Sequence, residues 1–355
     1  MLSRFDKALS GPASSGPGSP GLGSRGLGSP GLASSGPASS GVTISTARGT
    51  RRVHHTAIVH PSARLGWDVE VGPYCVIGPD VIIGDGTTIG PHTVIQGPAV
   101  IGKKCAISPF VCLGGEPQDI KYGGEKTGLF IGDENIIREF VTVHRGTPEG
   151  RGETRIGDRN MIMTYAHIAH DCLIGSGVIL TGGCALAGHT VIEDDAVLGG
   201  MSGVHQFCRV GRMAMVGGMA KVVKDVPPFA LVDGNPARVI GLNVVGMRRH
   251  GVPQDSRASL REAYRLLYES GLTVSQARLR ISQELSGCSE IQHLVAFLES
   301  STRGIMSYRG AVRASHPGAA LAEPGAVPVK PGADAAGAGT QGDGGRGDAH
   351  DAHDE

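Results

Sequence analysis

A short histidine-rich segment and a glycine further along the chain have the types and spacing of an acid–base site. Residues 166–172 read AHIAHDC and contain His167, His170 and Asp171, while Gly188 follows His170 by 18 residues. Imidazole titrates near neutral pH and can therefore accept a proton from a hydroxyl group. A glycine N–H has no side chain to shield it and can donate to a developing oxyanion. Asp171 could orient an imidazole, although a plain surface carboxylate also fits this position.

A six-residue repeat would bring these residues together. Aliphatic residues occupy every sixth position over 59–113 and again over 156–222. This period fits neither a helix nor a simple strand, and it is typical of a parallel β-helix with one hexapeptide per face and 18 residues per coil. Residues 18 apart then stack about 4.8 Å apart. The stacked columns would contain His170, Gly188 and Gln206, then Asp171 and His189, and then Ala187 and His205.

Two segments interrupt the repeat and predict loops, at 114–130 and 144–155. Loops carried by a rigid scaffold are favoured places for function. After residue 222 the pattern becomes helical, with apolar stripes that predict a helical cap at the end of the folded part. Thr273 with Gln276 and Ser289 with Gln292 have capping-box spacing.

Composition supports this architecture and excludes others. The chain has 57 Gly and 21 Pro but only seven Phe, six Tyr and one Trp, which argues against a helical bundle with an aromatic core. Lys plus Arg equals Asp plus Glu at 33 each, so we expect no nucleic-acid partner. No window is apolar enough for a membrane span. The seven Cys form no CxxC motif, which favours a reduced, cytoplasmic location.

We predict four regions along the chain. Residues 1–52 form a disordered Gly/Pro/Ser-rich extension and residues 309–355 a disordered Gly/Ala/Asp-rich tail, because neither can bury enough apolar surface to offset chain entropy. Residues 53–240 form the β-helix. Residues 241–308 form the helical C-terminal domain. The fold class is thus mainly β, a parallel β-helix with an α-helical cap.

Other interpretations of the histidines remain open at this point. They could simply fill outward polar positions of a structural β-helix without an active site, although clustered histidines and long loop insertions argue against that. His167 and His170 could also contribute to a zinc site like those of carbonic anhydrase-like β-helices. No thiolate or fixed partner is evident, and we expect no metal.

Several motifs together resemble the UDP-N-acetylglucosamine acyltransferase family over about residues 57–306. AHIAHDC and HQFC in combination are the most specific, since hexapeptides alone occur in many transferases. The resemblance implies the left-handed form of the β-helix. The matching segments are GEPQDIKY (115–122), VHRGT (143–147), AHIAHDC (166–172), LAGH (186–189), HQFC (205–208), DVPP (225–228) and STRG (301–304).

The resemblance implies transfer of an (R)-3-hydroxyacyl group from acyl carrier protein to the 3-hydroxyl of UDP-N-acetylglucosamine, the first step of lipid A biosynthesis. The family is a cytosolic homotrimer with active sites between neighbouring subunits. No cofactor is implied, because the donor is a phosphopantetheine thioester. His170 matches the general base and Gly188 the oxyanion donor. The matching substrate positions are Gln118, Asp119, Lys121, His144, His167, His189, His205, Gln206, Asn243 and Arg249.

The sequence departs from the family pattern at two positions, and one matching glycine bears on the length of the acyl chain. Val245 stands where Glu is common and His250 where Arg is common, so nucleotide contacts can differ here. Gly218 matches the residue that limits acyl length, and its missing side chain predicts a chain of about fourteen carbons. Gly218 could instead be only a turn glycine, and neighbouring Met219 could shorten the groove.

The resemblance leaves the acceptor open in two ways. A sister family transfers the acyl group to the amino group of an acylated UDP-glucosamine, but it usually carries an extra N-terminal globular domain. Some members of the resembled family use a 3-amino sugar and form an amide instead of an ester.

Overall fold

The structure is a computed structural model that describes residues 41–46 and 49–310. Most of the extension predicted for 1–52, and the tail predicted from 309 onward, lie outside these residues. Within the first of these segments, Val42–Thr46 and Gly49–Val53 pair as an antiparallel hairpin. The prediction of disorder therefore does not hold for these two strands. They are rich in β-branched residues and extend the edge of the first sheet instead of leaving it free.

Short parallel strands form three faces, which the chain visits in turn. Successive coils pair in register, as in Ile168 with Leu186 and Leu186 with Val204. These pairs confirm the predicted 18-residue coil. The first face consists of Val42–Thr46, Gly49–Val53, Glu70–Val71, Thr88–Ile89, Ala106–Ile107, Ile136–Ile137, Met161–Ile162, Ile179–Leu180, Val197–Leu198, Met215–Val216, Ala230–Gly234 and Ala237–Leu242.

The other two faces follow the same rule. The second face consists of Ile58–Val59, Val76–Ile77, Val94–Ile95, Cys112–Gly115, Thr142–His144, His167–Ile168, Ala185–Leu186, Gly203–Val204 and Lys221–Val222. The third face consists of Arg64–Leu65, Val81–Ile83, Ala99–Ile101, Gly128–Ile131, Glu153–Ile156, Leu173–Ile174, Val191–Ile192 and Arg209–Val210. We call the turn from the first to the second face the first corner, the turn from the second to the third the second corner, and the turn from the third to the first the third corner.

The core is a column of aliphatic side chains inside the coil. The predicted anchors, such as Ile95, Ile137 and Leu186, are buried. At most corners one residue takes a left-handed backbone conformation, for example φ 59° at Asp171 and 60° at Tyr165. The same backbone position thus displays side chains of different types along the coil.

The two interruptions leave the coil, but their ends are strands. Leu113 pairs with Val143, and Leu129 pairs with Thr154, so both insertions are excluded from the register. Cys112–Gly115 and Gly128–Ile131 shorten the first predicted loop. The second loop is likewise shortened by Glu153–Ile156, because Thr154 and Ile156 return to buried positions. Both loops start from the second face and rejoin the coil at the third, so they project at the second corner.

Within residues 49–310, four helices follow the last coil: α1 (Val244–Arg249), α2 (Gln254–Tyr268), α3 (Val274–Glu284) and α4 (Ser289–Ser300). The predicted capping box of Thr273 and Gln276 is confirmed at the start of α3. The second predicted box is wrong, because α4 begins one residue earlier than that box requires. Cys288 is its N-cap, and Ser289 is already helical.

The helices are fastened to the coil by polar contacts. His293 Nε2 lies 2.7 Å from Glu193 Oε2, and Arg209 contacts the other carboxylate oxygen at 3.0 Å. The Ser301 hydroxyl donates to the buried Asp225 at 2.7 Å. Among the described residues, no helix has the length and hydropathy needed to cross a membrane.

Candidate active site

His170 and Asp171 form a hydrogen-bonded pair at the second corner. The hexapeptide places His170 just before the corner residue Asp171, and His170 Nδ1 lies 2.8 Å from Asp171 Oδ2. Asp171 is fully buried, while the His170 side chain is 14% exposed. The carboxylate is therefore hidden behind an imidazole whose other nitrogen is left for a reactant. This excludes the alternative that Asp171 is a plain surface carboxylate.

The second insertion loop supplies the donors that make this burial possible. The Thr147 N–H and hydroxyl both donate to Asp171 Oδ2, at 3.0 and 2.7 Å, and the Arg151 N–H donates to Oδ1 at 2.7 Å. Burial raises the pKa of the Asp171 carboxyl, but the hydrogen bonds from Thr147, His170 and Arg151 outweigh it and hold that pKa below its ordinary value. Asp171 is thus an ionised acceptor at neutral pH.

Gly188 lies against the His170 ring on the next coil. A Cβ built at Gly188 would be 2.6 Å from His170 Cε1 and 2.7 Å from Nε2, which no side chain could occupy. Within the described part of the chain the Gly188 N–H has no acceptor. The backbone of Gly188 therefore lies against the ring edge that faces away from Asp171, and its N–H is not used by another described residue.

His189 continues the corner column beyond the pair. Its ring meets the His170 ring edge-on at 5.1 Å, and it stacks on Phe207 at 4.5 Å. Burial lowers the pKa of His189, although the Asp171 charge opposes that shift. His189 is therefore neutral at physiological pH and lies on one side of the His170–Asp171 pair.

His144 and His167 form a second imidazole pair on the neighbouring second face. Their rings meet edge-on at 5.2 Å, and His167 Nδ1 lies 2.7 Å from the Thr142 hydroxyl. Burial lowers the pKa of both, and for His144 the nearby His167 and His170 lower it further. His144 Nδ1 is buried without a hydrogen-bond partner among the described residues. This nitrogen is a polar atom whose hydrogen-bonding capacity the described residues leave unused.

The first insertion loop brings three more predicted residues near the corner. Lys121 Nζ pairs with Glu149 Oε2 at 3.0 Å, which joins the two insertion loops, and the Lys121 N–H donates to Asp119 Oδ1 at 3.0 Å. Gln118 is exposed on the same loop. Arg145, which is buried, fastens this loop by donating to the Tyr122 hydroxyl and to the Gly114 carbonyl.

The remaining predicted residues lie apart from this group. His205 and Gln206 are exposed one coil beyond His189. Asn243 is the N-cap of α1, where its Oδ1 accepts from the Gly246 N–H, and its Nδ2 donates to Met213 O at the third corner. Arg249 ends α1 and is exposed.

The substituted nucleotide positions and the ruler position lie on other corners. His250 Nδ1 is 3.7 Å from Asp195 Oδ1 at the third corner, and Val245 is exposed. Gly218 is exposed at the first corner, stacked over Gly200, which is in turn stacked over Gly182. A single chain therefore does not bring Asn243, Arg249 or Gly218 to His170.

A metal could in principle use the same groups. Ligand atoms of His170, Asp171 and His189 lie within 4.8 Å of one another. However, both Asp171 oxygens already accept hydrogen bonds, and His170 Nδ1 is directed at one of them. The set is better explained as a hydrogen-bonded pair, and the expectation of no metal stays a prediction.

Sequence reasoning missed Thr147 and Arg151, which make three of the hydrogen bonds to Asp171. Thr147 lies inside the VHRGT motif, but nothing in its type or spacing connects it to Asp171. The available signal was the loop itself, since the insertion leaves the repeat beside Asp171 and its residues contact that carboxylate.

Comparisons with known proteins decide the family. Residues 225–306 match the family Udp N-acetylglucosamine O-acyltransferase, domain 2, and residues 80–115 and 153–188 match the bacterial transferase hexapeptide family. The acyl-[acyl-carrier-protein]–UDP-N-acetylglucosamine O-acyltransferase of Thiobacillus denitrificans is 53% identical over 254 residues, which cover 72% of this chain and 98% of that relative. The chain belongs to the UDP-N-acetylglucosamine O-acyltransferase family.

Solved structures of UDP-N-acetylglucosamine O-acyltransferases agree with this. The LpxA structure from Acinetobacter baumannii is 45% identical with a TM-score of 0.70, covering 72% of this chain and 99% of that chain. The Francisella novicida UDP-N-acetylglucosamine acyltransferase is 39% identical with a TM-score of 0.71, covering 73% and 95%. The predicted left-handed β-helix is thereby confirmed.

Proposed function

We propose that the chain transfers an (R)-3-hydroxyacyl group from acyl carrier protein to the 3-hydroxyl of UDP-N-acetylglucosamine, the first step of lipid A biosynthesis. The observation that carries the proposal is the contact of His170 with the buried Asp171 on one side and with the Gly188 backbone on the other. A base and an oxyanion donor are thus adjacent, as acyl transfer requires.

The mechanism depends on which ring nitrogen of His170 is free to accept a proton. Asp171 is an ionised acceptor, so the His170 proton resides on Nδ1 and Nε2 is basic. Nε2 takes the proton from the sugar hydroxyl while its oxygen attacks the thioester carbonyl. The carbonyl oxygen gains negative charge, which the Gly188 N–H stabilises. The intermediate then collapses, the C–S bond breaks, and the proton on Nε2 passes to the departing thiolate.

The flanking histidines suit a neutral polar substrate. Burial keeps His144, His167 and His189 neutral at physiological pH, so each ring carries one donor and one acceptor nitrogen. His167 Nδ1 is already paired with the Thr142 hydroxyl, which leaves its Nε2 for a sugar hydroxyl. Lys121 is the exposed cation on the neighbouring loop and is suited to a phosphate or to acidic acyl carrier protein. We assign Gln118, Asp119, His205 and Gln206 to the rim of the same site.

A homotrimer in the cytoplasm completes the proposal. Asn243 and Arg249 belong with the nucleotide by resemblance, yet they lie toward the third corner while His170 lies at the second. A site shared between neighbouring subunits would unite them. A row of exposed aromatic rings on the first corner, which includes Phe110 and Phe140, supports contact between copies.

We assign to Gly218 the role of limiting the length of the acyl chain. No side chain fills the space above Gly200 and Gly182, so a groove can run along these glycines. Met201 and Met219 flank it, both strongly exposed. We therefore propose a long acyl chain with Gly218 at its end.

One assay set tests the function. Purified protein is mixed with acyl carrier protein thioesters of several lengths and with UDP-N-acetylglucosamine, its 3-amino analogue or the 3-O-acylated glucosamine. We expect turnover of UDP-N-acetylglucosamine and none of the acylated sugar, which the sister N-acyltransferase would use. Activity that is lost on dialysis against a chelator and restored by zinc would overturn the assignment of a metal-free His170 base.

A further inference from the structure

Thr147 makes two hydrogen bonds to one carboxylate oxygen of the His170–Asp171 pair. Its N–H and its hydroxyl both reach Asp171 Oδ2, the oxygen that also accepts from His170 Nδ1. Thr147 and Asp171 are both buried, at 2% and 0% exposure, so water cannot replace these donors. The hydroxyl contact of 2.7 Å has the length of a charge-assisted hydrogen bond.

The direction of the Thr147 proton is determined by its neighbours. The Gly150 N–H donates to Thr147 Oγ1 at 3.2 Å, so that oxygen is an acceptor on one side. Its own hydrogen then points to Asp171 Oδ2. A carboxylate surrounded by donors cannot also hold a proton facing His170, and the imidazole must therefore donate from Nδ1.

The loop is shaped around this contact. A Cβ at Gly150 would lie 2.4 Å from Asp171 Cγ, so only glycine permits the loop to approach this closely. The Gly152 N–H closes the turn on the Thr147 carbonyl at 2.9 Å, and the Arg151 N–H holds the second carboxylate oxygen. The insertion that breaks the hexapeptide register thus ends in a pocket for one carboxylate.

We infer that Thr147 is a positioning residue for the acyl transfer: its hydroxyl fixes the orientation of Asp171 and so selects the His170 tautomer whose Nε2 is free to accept the proton. Thr147 does not touch the reacting atoms. The inference rests on the proposed function for its kinetic consequence, but the tautomer itself can be observed without turnover.

The kinetic test compares Thr147→Val, which keeps the shape and loses the hydroxyl, with Thr147→Ser, which keeps the hydroxyl. We expect Thr147→Val to lower kcat by about tenfold to a hundredfold, as for loss of a hydrogen bond to a charged group, with KM for the sugar nucleotide changed by less than about twofold. Thr147→Ser should restore most of kcat. Equal losses in both variants, or a loss confined to KM, would overturn the inference.

A matched control separates this role from loss of any buried hydroxyl. Thr87 is also fully buried, at the third corner of an early coil, where its hydroxyl donates to the Gly102 carbonyl at 2.8 Å and accepts from the Cys105 N–H at 3.1 Å. We expect Thr87→Val to affect the melting temperature while leaving kcat within about twofold. A similar fall in kcat for both valine variants would mean that packing, and not positioning, is responsible.

A double-mutant cycle shows whether Thr147 acts through Asp171. On an Asp171→Asn background, Thr147→Val should lower kcat by less than about twofold further, because the group it orients is gone. A full additional loss would contradict the inference. If Thr147→Val fails to fold, Gly150→Ala serves instead, since its methyl group would displace the Asp171 carboxylate without removing the hydroxyl.

The readout independent of activity is nitrogen NMR of the histidine rings, with His170→Gln used to assign the His170 signals. The unmodified protein should show the Nδ1–H tautomer at His170, and Thr147→Val should show a mixture. An unchanged tautomer would overturn the inference even if kcat falls. Absence of turnover in the unmodified protein would instead count against the proposed function, while the NMR result would still stand.

Discussion

The first and second corners use one backbone geometry for two purposes. At the first corner, Tyr74, His92, Phe110, Phe140 and Tyr165 occupy the left-handed position on successive coils, with φ between 58° and 63°. Their rings stack with centroids 4.8 to 5.3 Å apart, and we call this row the ring ladder. At the second corner the equivalent positions hold Asp171, His189 and Phe207, with φ between 59° and 63°.

The two corners differ in what covers them. In the part of the chain that the structure describes, no insertion projects at the first corner, and Tyr74 of the ring ladder is 58% exposed. At the second corner the insertion loops bury Asp171 completely and donate to it. The repeat therefore provides a regular row of outward side chains, and added loops convert one part of it into a polar site. An apolar row of five rings without a cover is suited to contact with another copy.

The largest expected effect is at the second corner, where His170 and Asp171 lie. His170→Ala should lower kcat by about 10² to 10⁴, because the general base is lost while the coil remains intact. His60→Ala is the matched control, because His60 is an exposed histidine at the same corner on an early coil. Its side chain makes hydrogen bonds only to Ser62 in its own turn. Turnover and circular dichroism of both variants decide the result. Near-normal turnover of folded His170→Ala would exclude the assigned base.

The next effect concerns the glycine that contacts the base. Gly188→Ala would place a methyl group about where the His170 ring edge lies, so the ring must move. We expect kcat to fall by about a hundredfold, because the displaced His170 ring is no longer aligned with the Gly188 N–H, which alanine retains. At Gly203 on the next coil a Cβ would meet nothing within 4 Å, so Gly203→Ala should retain activity. Equal activities of the two variants would contradict the proposed role of Gly188.

A smaller effect, on acyl chain preference, is expected at Gly218, which lies at the first corner beyond the ring ladder. Gly218→Met should shift the preferred acyl chain to shorter donors, since each buried methylene contributes about 0.8 kcal/mol and two carbons change preference roughly tenfold. The measurement is kcat/KM with donors of increasing length. An unchanged preference would identify Gly218 as a turn glycine only.

Disrupting the ring ladder tests whether the first corner is an interface. Phe110→Ser combined with Phe140→Ser removes two stacked rings, and we expect the mass in solution to fall below that of the trimer at low micromolar concentration, with activity falling in parallel. Leu279→Ser is the control, because Leu279 is an exposed apolar residue on α3 away from the ladder. A trimer that persists unchanged in the double variant would assign the ladder another role.

The smallest expected effect is a pH dependence of stability that comes from His167, on the second face beside the second corner. Burial lowers the folded-state pKa of His167 below its ordinary value of 6.5, so the unfolded chain takes up a proton first as the pH falls. The stability that depends on neutral His167 is present above pH 6.5 and is lost as the pH falls below it. The melting temperature of His167→Gln should therefore decline less steeply below pH 6.5 than that of the unmodified protein. Parallel declines would show that His167 does not contribute.

Much of the fold could be predicted because the repeat is local. Every sixth residue is aliphatic, so each short strand has the same buried position, and pairs such as Ile168 with Leu186 follow from adding 18 to a residue number. The same addition predicts that Gly188 lies beside His170. The helical cap was also visible, although the Ser289 box failed because spacing alone cannot tell an N-cap from the first helical residue.

The environment of Asp171 could be seen only in the tertiary structure, because it depends on contacts that residue spacing does not encode. Asp171 was ambiguous in the sequence, and it became a buried partner of His170 only because a loop that leaves the repeat folds back with Thr147, Gly150 and Arg151 against it. An insertion has no register with the coil, so its path is determined by the hydrogen bonds it completes. The repeat determined where His170 and Gly188 lie, and the loop determined that His170 has a buried, ionised partner.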